Sequence, residues 1–401
     1  MTQKGYQQGT HRQCSPQSTL DRISPWLLQM GITRVANVTG LDRIGVPVVT
    51  VCRPDSSSVS VSQGKGLDLI SAKVSGVMEA IETYHGEHIE HPLRLASYAE
   101  LCKKEHVIDV HHLPRLSFSQ FSDTRKLLWI EGHDLIQGHS LFVPYEVVHC
   151  NFSLPLPTGS GSFVMSTNGL ASGNTYHEAV VHGLCEVIER DALALWQLER
   201  NQDSNHQIKL DTVNDPSCLS VIAKFQQAQM QVQVWDITSD IDIPSFLCKI
   251  RPAQNANGPA YAAIGSGTHP CKNIALLRAL TEAAQTRLTL ISGSRDDIDT
   301  NSYTRRANLQ ASVPDDGQKD FADIQSWHHG NFEQDISLLL DKLQQVGVSQ
   351  VAVINLEKNE FQIPVVRVLV PRLEGIHETP GYVMGQRARA KQQAIIDKDN
   401  A

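Results

Sequence analysis

Two stretches of the sequence space carboxylates so that they could gather a divalent cation. In Ser75-Gly76-Val77-Met78-Glu79-Ala80-Ile81-Glu82, polar side chains recur at intervals of four and then three. On a helix turning about 100° per residue, Ser75, Glu79 and Glu82 fall within about 60° of one another. Val74, Val77, Met78, Ala80 and Ile81 around them are apolar, so the acids share a narrow polar stripe. The second stretch repeats the device: Glu178, Glu186 and Glu189 lie within about 80° of one another, with Asn174 at their edge. Arg190 stands four residues after Glu186, and Ala179, Val180, Val181, Leu184, Val187 and Ile188 fill the gaps. A third stretch, Glu282-Ala283-Ala284-Gln285-Thr286-Arg287, adds an arginine able to contact a phosphate and an amide able to bond a nucleotide or substrate.

Spacing leaves two readings open. One is a solvated helix face with ordinary ion pairs. The other starts from the repulsion of clustered carboxylates, which a cation relieves. Oxygen-only ligands suit Mg²⁺, which commonly bridges to nucleotide phosphates. The glycine-rich segment before Asn174 could bring backbone N–H groups to phosphates near a helix start. No G-x-x-x-x-G-K-[ST] motif is present, however. Gly64-Lys65-Gly66 is a fragment of one, and Gly265-Ser266-Gly267 lacks the third glycine of a dinucleotide fingerprint. Any ATP site is therefore not a P-loop, and kinase signatures are missing too. Gly86 falls among His85, His88 and His91 and Pro92 follows directly, which favours an exposed helix end over a metal site.

These side chains need long helices, and the sequence supplies three. They are expected over 68–84, 175–199 and 272–290, with a shorter one over 338–346. Strands are expected over 46–52, 232–238, 244–251, 351–355 and 364–370, with a strand-turn-strand over 127–149 turning at Gln137-Gly138. Residues 159–174 read as loop, the first 20 or so as a loose arm, and 294–318 as a flexible insertion. Strands and helices mix without strict alternation, so the expected class is α+β, with mixed sheets packed against long helices.

The chain has 401 residues and a formal net charge of −8. The mild acidity argues against a nucleic-acid binder. None of the eight cysteines forms a C-x-x-C pair, so neither zinc nor a dithiol is signalled. No apolar run approaches the ~18 residues of a membrane span. The start, Met-Thr-Gln-Lys-Gly-Tyr-Gln-Gln, lacks a signal-peptide core. A soluble cytoplasmic protein is expected.

The ordered motifs Ser75-x-x-x-Glu79-x-x-Glu82, Asn168-Gly169-Leu170-Ala171-Ser172-Gly173-Asn174-x-x-x-Glu178 and Glu186-x-x-Glu189-Arg190-Asp191 closely resemble the YcaO pattern. Glu282-x-x-Gln285-x-Arg287 resembles its later motif, and residues 364–371 its closing strand. The resemblance spans roughly 45–375, implying an N-terminal arm and the start of the fold over 1–44, a YcaO-type catalytic domain over 45–375 and a polar tail over 376–401. It implies ATP and Mg²⁺ as cofactors, with Glu79, Glu82, Glu186 and Glu189 as the magnesium ligands. Lys65, Ser75, Asn174, Glu178, Arg190, Gln285 and Arg287 would bind the nucleotide, Arg190, Gln285 and Arg287 also serving catalysis. The implied reaction is phosphorylation of a backbone amide oxygen in a peptide or protein after a nucleophile adds to the carbonyl.

The nucleophile separates the branches. Azoline-forming members use a substrate Cys, Ser or Thr and typically end in a proline-rich tail, whereas this sequence ends Ile395-Ile396-Asp397-Lys398-Asp399-Asn400-Ala401. Gly31-Ile32-Thr33-Arg34, Thr39 to Gly45 and Pro371-Arg372-Leu373-Glu374-Gly375 resemble the TfuA-associated branch, which more often has glycine where Arg372 stands. That branch implies a thioamide made with external sulfide and a TfuA-like sulfur-delivery partner, and it allows a homodimer. An azoline-forming cyclodehydratase and an ATP-binding accessory protein are the alternatives.

Overall fold

A computed structural model describes residues 2–199, 204–253, 262–294, 317–375 and 380–399. In chain order, α1 (Pro16–Ile23), β1 (Arg34–Asn37), β2 (Val48–Cys52) and β3 (Val61–Lys65) precede the long helix α2 (Leu69–Glu87). Then come β4 (Leu93–Ser97), α3 (Tyr98–Leu101), β5 (Arg115–Leu116), β6 (Lys126–Asp134), β7 (Ser140–Pro144) and β8 (Leu170–Ser172). A second long helix, α4 (Tyr176–Gln197), is followed by α5 (Pro216–Gln227), β9 (Met230–Asp236), β10 (Ser245–Pro252) and β11 (Ala263–Thr268). The third long helix is α6 (Lys272–Ser292). The chain closes with α7 (Phe332–Gln345), β12 (Ala352–Asn355), β13 (Val365–Leu369), β14 (Tyr382–Val383) and α8 (Gln386–Asp399).

Contacts divide the chain into two units. The first comprises Met1–Thr2, Glu82–Arg200 and Asn331–Ala401; the second comprises Gln3–Ile81 and Asn201–Gly330. The first unit is built on an antiparallel sheet ordered β4-β6-β12-β13-β8, with β7 also paired to β6. Helix α4 lies on β8 and β13. The approach is close because Gly183 faces Val368, where any side chain would overlap the valine. Thr175 caps α4 by accepting the Glu178 N–H at 3.2 Å.

The second unit contains two three-stranded antiparallel sheets, β1-β2-β3 and β9-β10-β11. Helices α5 and α6 close its core, where Phe225, Phe246, Leu276, Leu280 and Phe321 are buried. Burying such side chains stabilises by roughly 1.5–3 kcal/mol each. Glycines set the spacing here. A methyl group on Gly64 of β3 would overlap the backbone of Ala72 and Gly76 in α2. One on Gly265 or Gly267 of β11 would overlap the backbone of α6.

The three long helices stand where the sequence places them. Elsewhere the outcome differs. The stretch 159–174, read as loop, contains β8, whose three residues are held by pairing to Val365–Arg367 in β13. The N-terminal segment, read as a loose arm, contains α1, capped by Ser15 and burying Ile23. The polar C-terminal stretch forms helix α8. The helix expected from Leu338 begins at Phe332, where Asn331 caps it. His85 is wholly buried against Tyr84 and Phe361 rather than at an exposed helix end, while His88 is exposed. Most of the expected insertion at 294–318 lies outside the described residues. Arg372 has φ of +80°, a region that favours glycine.

Candidate nucleotide and metal site

Within the first unit, Glu82, Ser172, Asn174 and Glu178 meet where β8 ends and α4 begins. Glu82 Oε1 accepts both the backbone N–H of Ser172 at 2.8 Å and its hydroxyl at 2.6 Å. Asn174 Nδ2 donates to both carboxylate oxygens of Glu178, at 3.2 and 3.3 Å. Asn174 and Glu178 are buried, and so is Glu189 at 2% exposure. About two turns along α4 from Glu178, Glu186 is half-buried with Arg190 Nη2 3.8 Å from its Oε1. The helix thus buries carboxylates among Ala179, Val180, Leu184, Val187 and Ile188. Burial of that kind is costly unless a positive charge or hydrogen bonds offset it.

Within the second unit, β3 is the organiser. The backbone N–H of Lys65 donates to Ser75 Oγ at 3.4 Å, and the Lys65 ammonium pairs with Glu282 at 2.6 Å. Gln285 Nε2 donates to the carbonyl of Gln63 at 3.1 Å. Among the described residues, the side-chain oxygen of Gln285 is buried with no hydrogen-bond partner, leaving one acceptor for a donor group. Arg287, expected at a phosphate, is instead turned inward: its Nε lies 2.8 Å from Asp42 Oδ2, with the side chains 1% and 5% exposed. Glu79, the last expected ligand, is half-buried on α2 between the buried Met78 and Ala80.

Sequence reasoning missed several participants. Ser172 holds Glu82, Gln63 holds Gln285, and Asp42 holds Arg287. Ser172 stands inside the Asn168–Asn174 motif, so its place beside the acids was open to notice. Gln63 carries no local signal, because its role comes from pairing across more than 200 residues. The largest omission is a network behind α4. Asp191, fully buried, accepts the Glu374 N–H at 2.9 Å and both Nε and Nη2 of Arg387 at 2.9 Å. Burial pushes the Asp191 carboxyl up from its ordinary value, and the Arg387 guanidinium opposes that shift. Glu374 in turn accepts from the Tyr382 hydroxyl at 2.9 Å, from Gly385 N at 3.0 Å and from Ala388 N at 2.9 Å.

The donors suit magnesium and a nucleotide. Glu79, Glu82, Glu186 and Glu189 offer oxygen alone, the preference of a hard divalent cation.

Two solved structures share this architecture. YcaO from Methanopyrus kandleri, bound with AMPPCP and Mg²⁺, aligns with a TM-score of 0.75 at 22% identity, covering 96% of this chain and 99% of that one. A heterocyclase in complex with substrate and cofactor aligns with a TM-score of 0.76 at 22% identity, covering 93% of this chain and 54% of that one. The fold is therefore the α+β fold of the YcaO type. Residues 63–374 match the family described as YcaO cyclodehydratase, binding ATP and Mg²⁺. A protein in the tfuA 3′ region of Rhizobium leguminosarum bv. trifolii is 36% identical over 377 residues, covering 90% of this chain and 88% of its own. One from Methanothermobacter thermautotrophicus is 32% identical over 386 residues, covering 94% and 98%. The chain belongs to the YcaO family. It is an ATP-dependent enzyme whose cofactors are ATP and Mg²⁺. Among the described residues, no helix is long and apolar enough to cross a membrane.

Proposed function

We propose that the protein converts a backbone amide of a peptide or protein to a thioamide, using external sulfide delivered by a TfuA-like partner. The observation that carries this reading is the relative found in a tfuA 3′ region, at 36% identity across most of both chains. The heterocyclase solved with its substrate supports an amide-modifying role. Sulfide adds to the amide carbonyl, and the resulting oxygen is phosphorylated at the expense of ATP. Phosphate then leaves as the C=S bond forms, giving ADP, phosphate and the thioamide. Phosphorylation matters because an amide oxygen is otherwise a poor leaving group.

In this reading Glu79, Glu82, Glu186 and Glu189 hold magnesium, which when bound neutralises charge on the transferring phosphoryl group. Ser172 aims Glu82 by donating twice to one of its oxygens. Asn174 fixes Glu178 for the nucleotide, and Gln285 presents its open acceptor. Lys65 must leave Glu282 to reach a phosphate, and Arg287 must leave Asp42.

The test combines the protein, ATP, a TfuA-like protein and heavy-isotope sulfide with the proteins of a strain lacking this gene. Mass spectrometry should find the label in the backbone of a product heavier by the difference between sulfur and oxygen. A product lighter by one water, formed without sulfide, overturns thioamidation in favour of azoline formation. Neither product would leave an ATP-binding accessory role.

A further inference from the structure

We propose that Arg387 is a positioning residue that sets the roll of α4 through the buried carboxylate of Asp191. The proposal rests on reading Glu186 and Glu189 as magnesium ligands. Asp191 follows Glu189 by two residues, which is about 200° around a helix. The contact therefore grips α4 on the side away from Glu189 and need not touch a ligand.

The bonds form a closed ring. Asp191 accepts the backbone N–H of Glu374, and the Glu374 carboxylate accepts the N–H of Ala388. Arg387, the neighbour of Ala388, returns two bonds to Asp191 at 2.9 Å each. Tyr382 and Gly385 brace the same Glu374 carboxylate. A single exposed ion pair would let the helix rotate, whereas a buried two-pronged guanidinium contact fixes direction as well as distance. The ring has an evident purpose in a helix that must present Glu186, Glu189 and Arg190 together, because groups that orient metal ligands govern affinity.

The experiment uses the full chain and measures AMPPCP binding by calorimetry across a magnesium series, alongside thermal melting. Arg387→Lys keeps the charge and loses the fork. It should stay folded while the magnesium needed for half-maximal binding rises about tenfold. Metal-free AMPPCP binding should be unchanged. A folded Arg387→Lys that melts earlier but keeps its magnesium requirement makes the ring purely structural and overturns the proposal. Should that variant fail to fold, Tyr382→Phe loosens Glu374 without touching the Asp191 pair; it should raise the requirement by a smaller factor, and no change overturns the proposal. Glu189→Gln is the control. If it too leaves the requirement unchanged, the ligand reading falls and carries the proposal with it, whereas a change in Glu189→Gln alone sinks the ring only.

Discussion

Arg287 and Asp42 form a buried ion pair at 2.8 Å, joining α6 to the turn before β2. Two charges out of water are tolerated because each has the other, so removing one strands its partner. Arg287→Ala or Asp42→Asn should therefore each cost about 3–5 kcal/mol of stability. The double change Asp42→Leu with Arg287→Met should cost less than either, since neither charge is left unpaired. Denaturant titration of the three variants decides it, and equal additive losses would contradict the argument. Activity lost in Arg287 variants alone thus says little about catalysis until stability has been compared.

Glu82→Gln retains an oxygen to accept both bonds from Ser172 while losing the negative charge. The fold should be preserved, with thermal melting close to that of the parent. Magnesium-dependent nucleotide binding should fall at least about tenfold. Glu186→Gln and Glu79→Gln should weaken it too. Calorimetric titration with ATP and magnesium checks all three, and undiminished affinity would remove these glutamates from the site.

Acid should destabilise the protein through His149. Burial is the main cause that holds its imidazole down to about 4 from the ordinary 6.5, aided by the Arg367 charge. The folded state therefore binds fewer protons than the unfolded chain between those values. Stability contributed by the neutral ring is complete above pH 6.5 and is lost as pH falls toward 4. His149→Gln, which cannot titrate, should show a flatter melting temperature across that window. His11, held down to about 3 chiefly by burial, acts in the same direction.

The C-terminal helix should tolerate a short cut and not a long one. Asp397 and Lys398 are exposed, so deleting residues 397–401 should leave ATP turnover and melting nearly unchanged. Deleting from Gln386 removes Arg387 and strands the Asp191 carboxylate in the interior. That truncation should lose roughly 3–5 kcal/mol. Comparable melting of the two truncations would refute the distinction.

What the sequence made legible was whatever is encoded locally. The long amphipathic runs of α2, α4 and α6, and the apolar strands β12 and β13, carry their own periodicity. Strands β3, β8 and β11 do not, since glycine and serine weaken the pattern and distant pairing supplies the order. Helix α8 is largely polar, with no sustained apolar stripe, and a buried ion pair anchors its first turn, a contact 196 residues apart in the chain. The site followed the same rule. The glutamate stripes were visible as spacing. Ser172, Asp42 and Glu374 stood inside recognisable motifs without their partners being legible, whereas Gln63 and Arg387 lie where nothing local announces their destination.

The glycines of β3 and β11 carry a lesson for anyone mining genomes or building libraries. Gly64-Lys65-Gly66 and Gly265-Ser266-Gly267 look like phosphate-gripping loops, yet Gly64, Gly265 and Gly267 are clearances through which a helix passes. A search keyed to such letters would assign the wrong chemistry to a spacer. In a saturation library, these three positions should reject even alanine, at an overpacking cost of about 1–3 kcal/mol. The glycines that reject alanine would thus trace, along each strand, the helix on its far side.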